Sequence, residues 1–576
     1  MRERVRQHGA TVVVVVVAAV MLGPALLPGY TLIGDQVFVP DQSLLPWMLG
    51  LGAGLPRSVP QDAVVAVLTG PVPGWVWESV ALVSALVLLG LGVARLLRDQ
   101  GVAARTIGAV VAVWSPYVGE RLLLGHWSLL LAVAALPWAL DAADAARRGN
   151  HRATARWVLW VALASLTVSG GLLVLAMTLP VLLWRDSAPV RPRRLAAVAG
   201  LVLQAPWLVP ALLHPSALGS RGVEVFALRP EGAWGGLLTA LGTGGVWNAD
   251  AVPGSRGTLL APTLTLVLLA AAWWGRGDVA PAVGRPVALV LGVGSVLGIA
   301  VAVLGAWSIT SGVTEWVTAH VPGAGVLRDG QKWLAPWLLL LAVSAALGAR
   351  RAARSLVIRT RDRAVGPVLL IGGLLVPIAL LPDLAWGVGG RLASVDYPAD
   401  WSEVRSVLAS DPRPGDVISL PWSTFRRFDW NRGRTVLDPA PRALPRTVVA
   451  SDSLVVRRDG ALVVVPGDDP RSARIGAVVS TGADLAPVLA ALGSAGPSSR
   501  PMPALCRYPR APSWSSTVPT STSMRSRHRR GSPLPREWSP CSSATSLPGA
   551  SWSEPGSSCS VADGPLRIRV RGATRW

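Results

Sequence analysis

The sequence contains almost no cysteine and almost no lysine. Its three cysteines, Cys506, Cys541 and Cys559, lie close to the C-terminus, so most of the chain offers no disulfide framework, thiolate nucleophile or thiolate metal site. Lys332 is the single lysine among 54 basic residues, a bias that indicates a gene of high G+C content and a bacterium such as an actinomycete. Walker-type phosphate loops, dinucleotide fingerprints and metalloprotease helices are also missing from the sequence, which argues against an ATP-driven pump.

Charged residues of any kind are scarce. They make up 15% of the 576 residues, whereas 51% are hydrophobic, and this balance predicts a membrane protein rather than a soluble one. The net charge is +21, but the arginines stand mostly in short segments between apolar runs, where they orient helices in the bilayer. We therefore expect membrane lipids, and no nucleic acid, as partners.

Apolar runs of near-spanning length recur eleven times, starting with residues 11–28 behind the basic N-terminus MRERVRQH. Since no small-residue cleavage site follows the first run, we expect a retained helix rather than a secretory signal. The other runs cover 77–97, 102–116, 127–141, 155–168, 171–184, 194–213, 258–274, 286–305, 333–349 and 365–382. The pattern predicts an all-α polytopic domain over residues 1–382 with about eleven transmembrane helices.

This count depends on the segment Ser169–Gly171. The sequence around it fits either two helices or one long kinked helix. With two crossings, the basic residues gather in the loops of one side, about 22 against about seven. This bias favours two crossings and a cell-membrane protein with a cytoplasmic N-terminus. The first loop, 29–76, and the C-terminal region are then extracytoplasmic.

Residues 383–493 are more polar and predict a small extracytoplasmic α/β domain. Its expected elements are a helix near WSEVRSVLAS, strands at DVISLP and ALVVVP, and a helix at LAPVLAAL. Residues 494–576 are rich in Ser, Pro and Arg and show neither helical nor strand periodicity. Two explanations of this tail stay open, a disordered segment and translation of a G+C-rich gene in the wrong frame.

The first candidate site segment is GDQVFVPDQ, residues 34–42, in the first outside loop. Asp35 follows the first helix so closely that it must lie near the outer surface. A carboxylate there is suited to act as a general base, with Asp41 as an accessory residue, or to bind a divalent cation such as Mg²⁺ or Mn²⁺. The alternative is an ordinary solvated loop aspartate.

The second segment is SPYVGERLLLGHW, residues 115–127, which we expect to form a short outside turn. It brings together Glu120, Arg121 and His126, which would complete an acidic and phosphate-binding site with Asp35. The alternative is an Arg–Glu ion pair with a capping histidine.

The third segment is VLRDGQKW, residues 326–333, at the outer end of a helix. It holds Arg328, Asp329 and Lys332. Arginine and lysine at that depth suit a lipid phosphate, although anchoring to lipid headgroups would use the same residue types.

With these segments in view, the chain resembles the GT-C superfamily of polytopic membrane glycosyltransferases. Within it, the chain is most similar to actinobacterial cell-envelope arabinofuranosyltransferase-like and mannosyltransferase-like proteins. The likeness covers residues 11–382 in layout and is carried by GDQVFVPDQ, SPYVGERLLLGHW and LRDGQKW. It implies that Asp35 is the catalytic base or metal partner, joined by Glu120 as a second acidic residue.

The resemblance also implies the substrates. A polyprenyl-phosphate sugar would be the donor, which accounts for the missing nucleotide site, and an envelope glycan or lipid would be the acceptor on the outer face. Arg328 or Lys332 would bind the donor phosphate, and Arg121 is a further candidate for the same contact. Two other functions remain as alternatives, a transporter or flippase for an envelope lipid or polysaccharide and a noncatalytic envelope scaffold.

Overall fold

The fold was obtained as a computed structural model. It describes residues 2–489 with gaps, and beyond them only the segments 504–507, 558–561 and 564–569. The gaps are 53–57, 187–188, 215–222, 322, 414, 459–460 and 486.

Helices dominate the first 390 residues. Their bounds are α1 Arg2–Leu22, α2 Gln61–Thr69, α3 Gly74–Leu96, α4 Val102–Val113, α5 Pro116–Leu123, α6 Trp127–Arg147, α7 His151–Ala164, α8 Val168–Leu182, α9 Val190–Val202, α10 Ala205–Leu213, α11 Gly235–Leu241, α12 Leu260–Gly275, α13 Val279–Val283, α14 Arg285–Leu304, α15 Ser308–His320, α16 Ala335–Thr360, α17 Val365–Leu380 and α18 Ala385–Gly390. Each of the eleven predicted apolar runs overlaps one or more of these helices. This arrangement is that of a multi-pass membrane protein.

The predicted number of crossings is not confirmed. Among the described residues, six helices are long and apolar enough to span a membrane, or up to eight if each of two bent helix pairs counts as one span. The segment around Ser169 does form two helices, since α7 ends at Ala164 and α8 begins at Val168. However, they have 14 and 15 residues, fewer than the roughly 20 that a straight crossing needs.

Two spans form the centre of the helical bundle. The windows within Val102–Leu123 and Trp127–Arg147 are 83% and 89% buried inside the protein, against 39% for His8–Leu26 and 33% for Arg285–Leu304. The outer helices expose apolar side chains such as Leu297, as expected of surfaces that face lipid. The central pair ends at the turn between Leu123 and Trp127, which is where the candidate site lies.

The C-terminal region combines short helices and strands, as predicted. Its elements are α19 Ala399–Ser410, β1 Val417–Leu420, β2 Phe425–Arg427, β3 Thr435–Leu437, α20 Ala440–Ala443, β4 Val448–Val449, β5 Leu454–Arg458, β6 Ala461–Val465, α21 Pro470–Thr481, β7 Ala504–Arg507, β8 Ser558–Val561 and β9 Gly564–Arg569. The helix and both strands expected before residue 470 are present. The last expected helix, LAPVLAAL, lies partly outside the described residues.

The main sheet has the order β4-β1-β7-β8-β9. β1 pairs in parallel with β4, Val417 opposite Val448, and with β7, Val417 opposite Ala504. β2 and β3 form a separate antiparallel hairpin, and so do β5 and β6. Three strands thus belong to the tail that we expected to lack strand periodicity. Pairing with a neighbouring strand governs strand formation more than local propensity does. Strands of four to six residues therefore left no visible periodicity in the sequence.

Candidate active site

The backbone of the first long loop, residues 29–76, lies against the backbone of the turn between α5 and α6. The amide of Asp35 donates to the carbonyl of Leu124 over 2.8 Å. Gly34 and Gly125 permit this approach, with φ angles of +53° and +77°. A Cβ at Gly34 would lie 2.2 Å from the Leu124 oxygen, and one at Gly125 would lie 2.3 Å from the nitrogen of Gln36. Only glycine combines such φ values with so little space.

The second candidate segment is not a simple turn. Ser115 accepts a hydrogen bond from the amide of Val118 and caps α5, and Pro116 occupies the first helical position, both common features of helix starts. Glu120 and Arg121 therefore project from a buried helix. Only the residues after it form a turn, which carries His126 into the site.

Asp35, His126 and Arg121 form a chain of hydrogen bonds. His126 Nε2 lies 3.2 Å from Asp35 Oδ2, and His126 Nδ1 lies 2.9 Å from Arg121 Nη1. A guanidinium can only donate, so Nδ1 accepts and the proton resides on Nε2, directed at Asp35. About half of the Asp35 side chain, 49%, remains exposed, which leaves its carboxylate open to a substrate.

The protonation states agree with this arrangement. Burial alone would raise the pKa of Asp35, but the hydrogen bond from His126 and the charges of Lys332 and Arg442 hold that pKa below its usual value. Burial and the charge of Arg121 lower the pKa of His126, although Asp35 acts in the opposite direction. The pair is thus a neutral imidazole that donates to an ionised carboxylate.

Arg121 was expected to bind a substrate phosphate, but its guanidinium is already engaged. The side chain is fully buried and donates to Asp329 through two bonds of 2.6 and 3.0 Å. It also donates to Gln331 and His126. Burial would raise the pKa of Asp329, yet the charges of Arg121 and Lys332 hold it well below its usual value. The accessory residue Asp329 therefore neutralises Arg121.

Glu120 is also fully buried and is separated from Asp35 by His126, Arg121 and Gln331. Its Oε2 accepts from Gln331 Nε2 over 2.7 Å and from the amide of Val246 over 3.1 Å. These contacts explain why the two carboxylates expected to act together do not face the same space.

Next to Glu120 lie two buried charged residues, Glu231 and Arg256, that were not predicted from the sequence. Glu231 and Arg256 form an ion pair of 2.5 Å, and Arg256 also lies over the ring of Trp234 at 4.6 Å. A Cβ at Gly244 would lie within 3 Å of both Glu120 and Glu231. Gln331 was missed as well. Its position beside Lys332 in the third segment could have indicated Gln331. Glu231 lies in a loop and Arg256 in the short 3-10 helix Gly254–Gly257, and neither segment has a local sequence pattern.

The two remaining cations lie at the edge of the cluster. Lys332 Nζ is 3.8 Å from Asp329 Oδ2, and 27% of its side chain is exposed. The hydroxyl of Tyr117 donates to the carbonyl of Lys332 over 2.9 Å and fixes this turn against α5. The guanidinium of Arg328 lies 4.0 Å above the ring of Phe226. The three segments predicted to converge therefore do so around Asp35, His126 and Lys332.

Asp41 has a different position. It pairs with Arg405 of α19 over 2.6 Å, and its side chain is 59% exposed. No described contact joins it to Asp35 or His126, so its contacts hold the first loop to the C-terminal region.

A metal site formed by Asp35 and Glu120 has no matching donor set. Within the described ranges, no group of three or more His, Cys, Asp or Glu side chains could hold a metal ion. Mg²⁺ and Mn²⁺ require several oxygen ligands, and these two carboxylates do not share a space. The donor set therefore does not fit a divalent cation held by both residues.

The C-terminal region supports the first loop from the other side. Tyr30 exchanges two backbone hydrogen bonds with Val395, of 2.7 and 3.0 Å. Gly34 accepts from the amide of Leu437 over 2.8 Å and donates to the carbonyl of Thr435 over 2.9 Å. An isolated parallel bridge between Gly34 and Val436 thus joins the loop that carries Asp35 to β3.

Among solved structures, the chain is similar to AftD, a mycobacterial arabinofuranosyltransferase determined by single-particle cryo-EM. The TM-score is 0.50 and the sequence identity 19%, over 86% of this chain and 36% of that chain. The chain thus shares its fold with the aligned part of AftD. The resemblance predicted from the three segments is confirmed at the level of the fold. This chain spans about a third of the length of AftD, and no protein-family model and no curated protein matches the sequence.

Proposed function

We propose that this chain is a membrane glycosyltransferase of the cell envelope. The observation that carries the proposal is the convergence of three loop segments of a GT-C-like fold on one half-exposed carboxylate. Asp35 is oriented by His126 and lies beside the cation of Lys332. This arrangement combines a base with a positive charge, which is what transfer of a sugar from a phosphate to a hydroxyl requires.

The donor in this proposal is a polyprenyl-phosphate sugar and the acceptor is an envelope glycan or lipid. The arginine bias of the loops supports an N-terminus in the cytoplasm and a site on the outer face. Nucleotide sugars are not available outside the cell, and the sequence carries no nucleotide signature.

The reaction is a direct displacement at the anomeric carbon. Asp35 accepts the proton of the acceptor hydroxyl as the acceptor oxygen forms its bond to the anomeric carbon. The bond between that carbon and the phosphate oxygen breaks at the same time, and the electron pair leaves with the lipid phosphate. Lys332 and Arg328 stabilise the charge that develops on this leaving group. A single displacement inverts the anomeric configuration.

Arg121, Asp329, Gln331 and Glu120 act as positioning residues in this mechanism. Arg121 is fully buried and fixes the tautomer of His126, which in turn orients the carboxylate of Asp35. Buried networks of this kind hold a site rigidly only when every charged member is compensated. We therefore assign phosphate binding to Lys332 and Arg328 rather than to Arg121.

The test is Asp35→Asn, with Asp41→Asn as the matched control in the same loop. Loss of a general base lowers rates by about 10²–10⁴-fold, so Asp35→Asn should abolish transfer of radiolabelled sugar to acceptor in isolated membranes. Asp41→Asn removes a surface ion pair, worth at most about 1 kcal/mol, and should retain transfer. Equal activity of both variants at equal protein levels would refute the role of Asp35 and favour a noncatalytic scaffold.

A further inference from the structure

A cavity lies in the C-terminal region, lined by none of the residues of the Asp35 cluster. Trp422, Ser423 and Thr424 follow the last residue of β1, and Ser451 and Ser453 follow β4. Because β1 and β4 are parallel neighbours, both segments emerge at the same edge of the sheet. The carboxyl edge of parallel strands is the usual place for a ligand in such sheets.

The cavity has the size of a small-molecule site. Its volume is about 340 Å³, at the lower end of the range of ~300–1,000 Å³ that small-molecule pockets occupy. The first half of α21 closes it, where Ser472 and Gly476 line the wall. Its described lining contains five Ser or Thr hydroxyls and one indole, and no ionisable side chain.

Several polar atoms of this cavity are available to a ligand. The hydroxyl of Thr424 donates to the carbonyls of Ser451 and Ser453, and that of Ser423 donates to the carbonyl of Phe425. Both hydroxyl oxygens therefore retain acceptor capacity. Among the described residues, the hydroxyl of Ser453 and the Nε1 of Trp422 have no hydrogen-bond partner. The wall thus offers donors and acceptors side by side.

The indole of Trp422 is held in place from behind. It packs against the small core of Ile418, Leu420, Val449 and Ile475. A Cβ at Gly476 would lie 3.0 Å from its Nε1, so the helix approaches the ring closely at this point. Trp422 is partly exposed, and an aromatic ring that is fixed on one side presents an apolar surface beside hydroxyl groups on the other.

We propose that this cavity binds a neutral glycan. A sugar ring presents hydroxyls that both donate and accept and a C–H face that packs on an aromatic ring, and the cavity complements both features. A phosphate or carboxylate ligand would require a cationic partner, and the lining has none. Binding of a glycan in this cavity does not require transfer activity. Whether this glycan is also the acceptor of the transfer reaction rests on the proposed function.

The experiment uses the full chain purified in detergent and short neutral arabino-, manno- and gluco-oligosaccharides as probes. Saturation-transfer difference NMR titrations would give the affinity for each probe, with inorganic phosphate as the anionic competitor. We expect one or more of the neutral series to bind and phosphate not to compete. Trp422→Ala should weaken binding about tenfold, the contribution expected of an aromatic contact.

Since Trp422 also packs on a core, Gly476→Ala provides a second variant that removes no side chain. Its added methyl group narrows the cavity at the ring and should also weaken binding. Trp316→Ala, at an exposed tryptophan of α15, is the matched control and should bind as the wild type does. Glycan binding that survives both Trp422→Ala and Gly476→Ala, no binding of any neutral probe, or competition by phosphate would each overturn the proposal.

The two proposals fail independently. Asp35→Asn is expected to lose transfer and retain glycan binding. Loss of binding in that variant would mean that the probe occupies the Asp35 cluster instead of the C-terminal cavity, and would contradict the inference.

Discussion

Gly125 lets the two loops of the candidate site approach each other, and replacing it by alanine tests whether that approach matters. A Cβ at this position would lie 2.3 Å from the nitrogen of Gln36, 2.4 Å from the carbonyl oxygen of Ile33 and 2.8 Å from the nitrogen of Asp35. All three atoms belong to the backbone, so no side chain can rotate away. The loop itself must move.

The size of the effect follows from these distances. Ordinary contacts to a Cβ begin near 3.4 Å, so the loops must separate by about 1 Å. That movement breaks the hydrogen bond from Asp35 to Leu124, at a cost of about 1–3 kcal/mol. Alanine at a φ of +77° adds about 1–2 kcal/mol of strain. Displacement of a reacting group by about 1 Å can lower a rate by about 10²-fold.

Gly235→Ala separates these effects. Gly235 has a φ of +76°, and a Cβ there would meet nothing within 4 Å, so this variant carries the backbone strain without the contact. The assay is sugar transfer in isolated membranes, normalised to the amount of protein. We expect Gly235→Ala to remain active and Gly125→Ala to lose about two orders of magnitude. Equal activity of the two variants would refute the close approach as a requirement of the site.

Two further changes test the hydrogen-bond chain. His126→Phe removes a group that stabilises the ionised carboxylate of Asp35, so the pKa of Asp35 should rise and the acidic limb of the pH–rate profile should move to higher pH. His126→Gln, whose amide can still donate, should leave that limb nearly unchanged, and equal shifts would contradict the assignment. Asp329→Asn leaves the buried charge of Arg121 without its partner and should lower the free energy of unfolding by about 3–5 kcal/mol.

The control for Asp329 is Asp278→Asn. Asp278 pairs with Arg351 over 3.8 Å at a site where 36% and 49% of the two side chains are exposed, so its loss should cost at most about 1 kcal/mol. Thermal unfolding of the purified variants in detergent measures both. A similar shift of the unfolding midpoint in the two variants would show that the buried Arg121–Asp329 pair contributes no more to stability than an exposed ion pair does.

Helix positions could be predicted from apolar runs, whereas the number of crossings could not. Hydropathy marks where a helix is apolar, but it does not show where the helix ends. The run at 102–116 continues after Ser115 as α5, so one candidate span reaches Leu123. The run at 155–168 belongs to the 14-residue helix α7. The backbone capping groups and bends that set these lengths depend on tertiary contacts.

The candidate site was predicted by residue type and position but not by depth. The segments that carry Asp35, His126 and Lys332 were expected to converge because each was predicted at an outer helix end, and these three residues do lie together. Arg121 and Glu120 were expected to face substrate, yet they are fully buried. Burial depends on which helices surround a residue, and a charged pair stays buried when each member finds a partner far away in sequence. Such pairings leave no local pattern.

The bridge between the Asp35 loop and β3 has a consequence for the order in which the protein assembles. Leu32 accepts a hydrogen bond from Asn431, 399 residues further along the chain. During synthesis the loop that carries Asp35 emerges early, whereas its backbone partners Thr435 and Leu437 are made only after about three-quarters of the 576 residues. Completion of the site is therefore a late folding event with a long loop to close. A chain that ends before residue 430 would therefore lack the backbone partners that hold the loop of Asp35, the proposed general base.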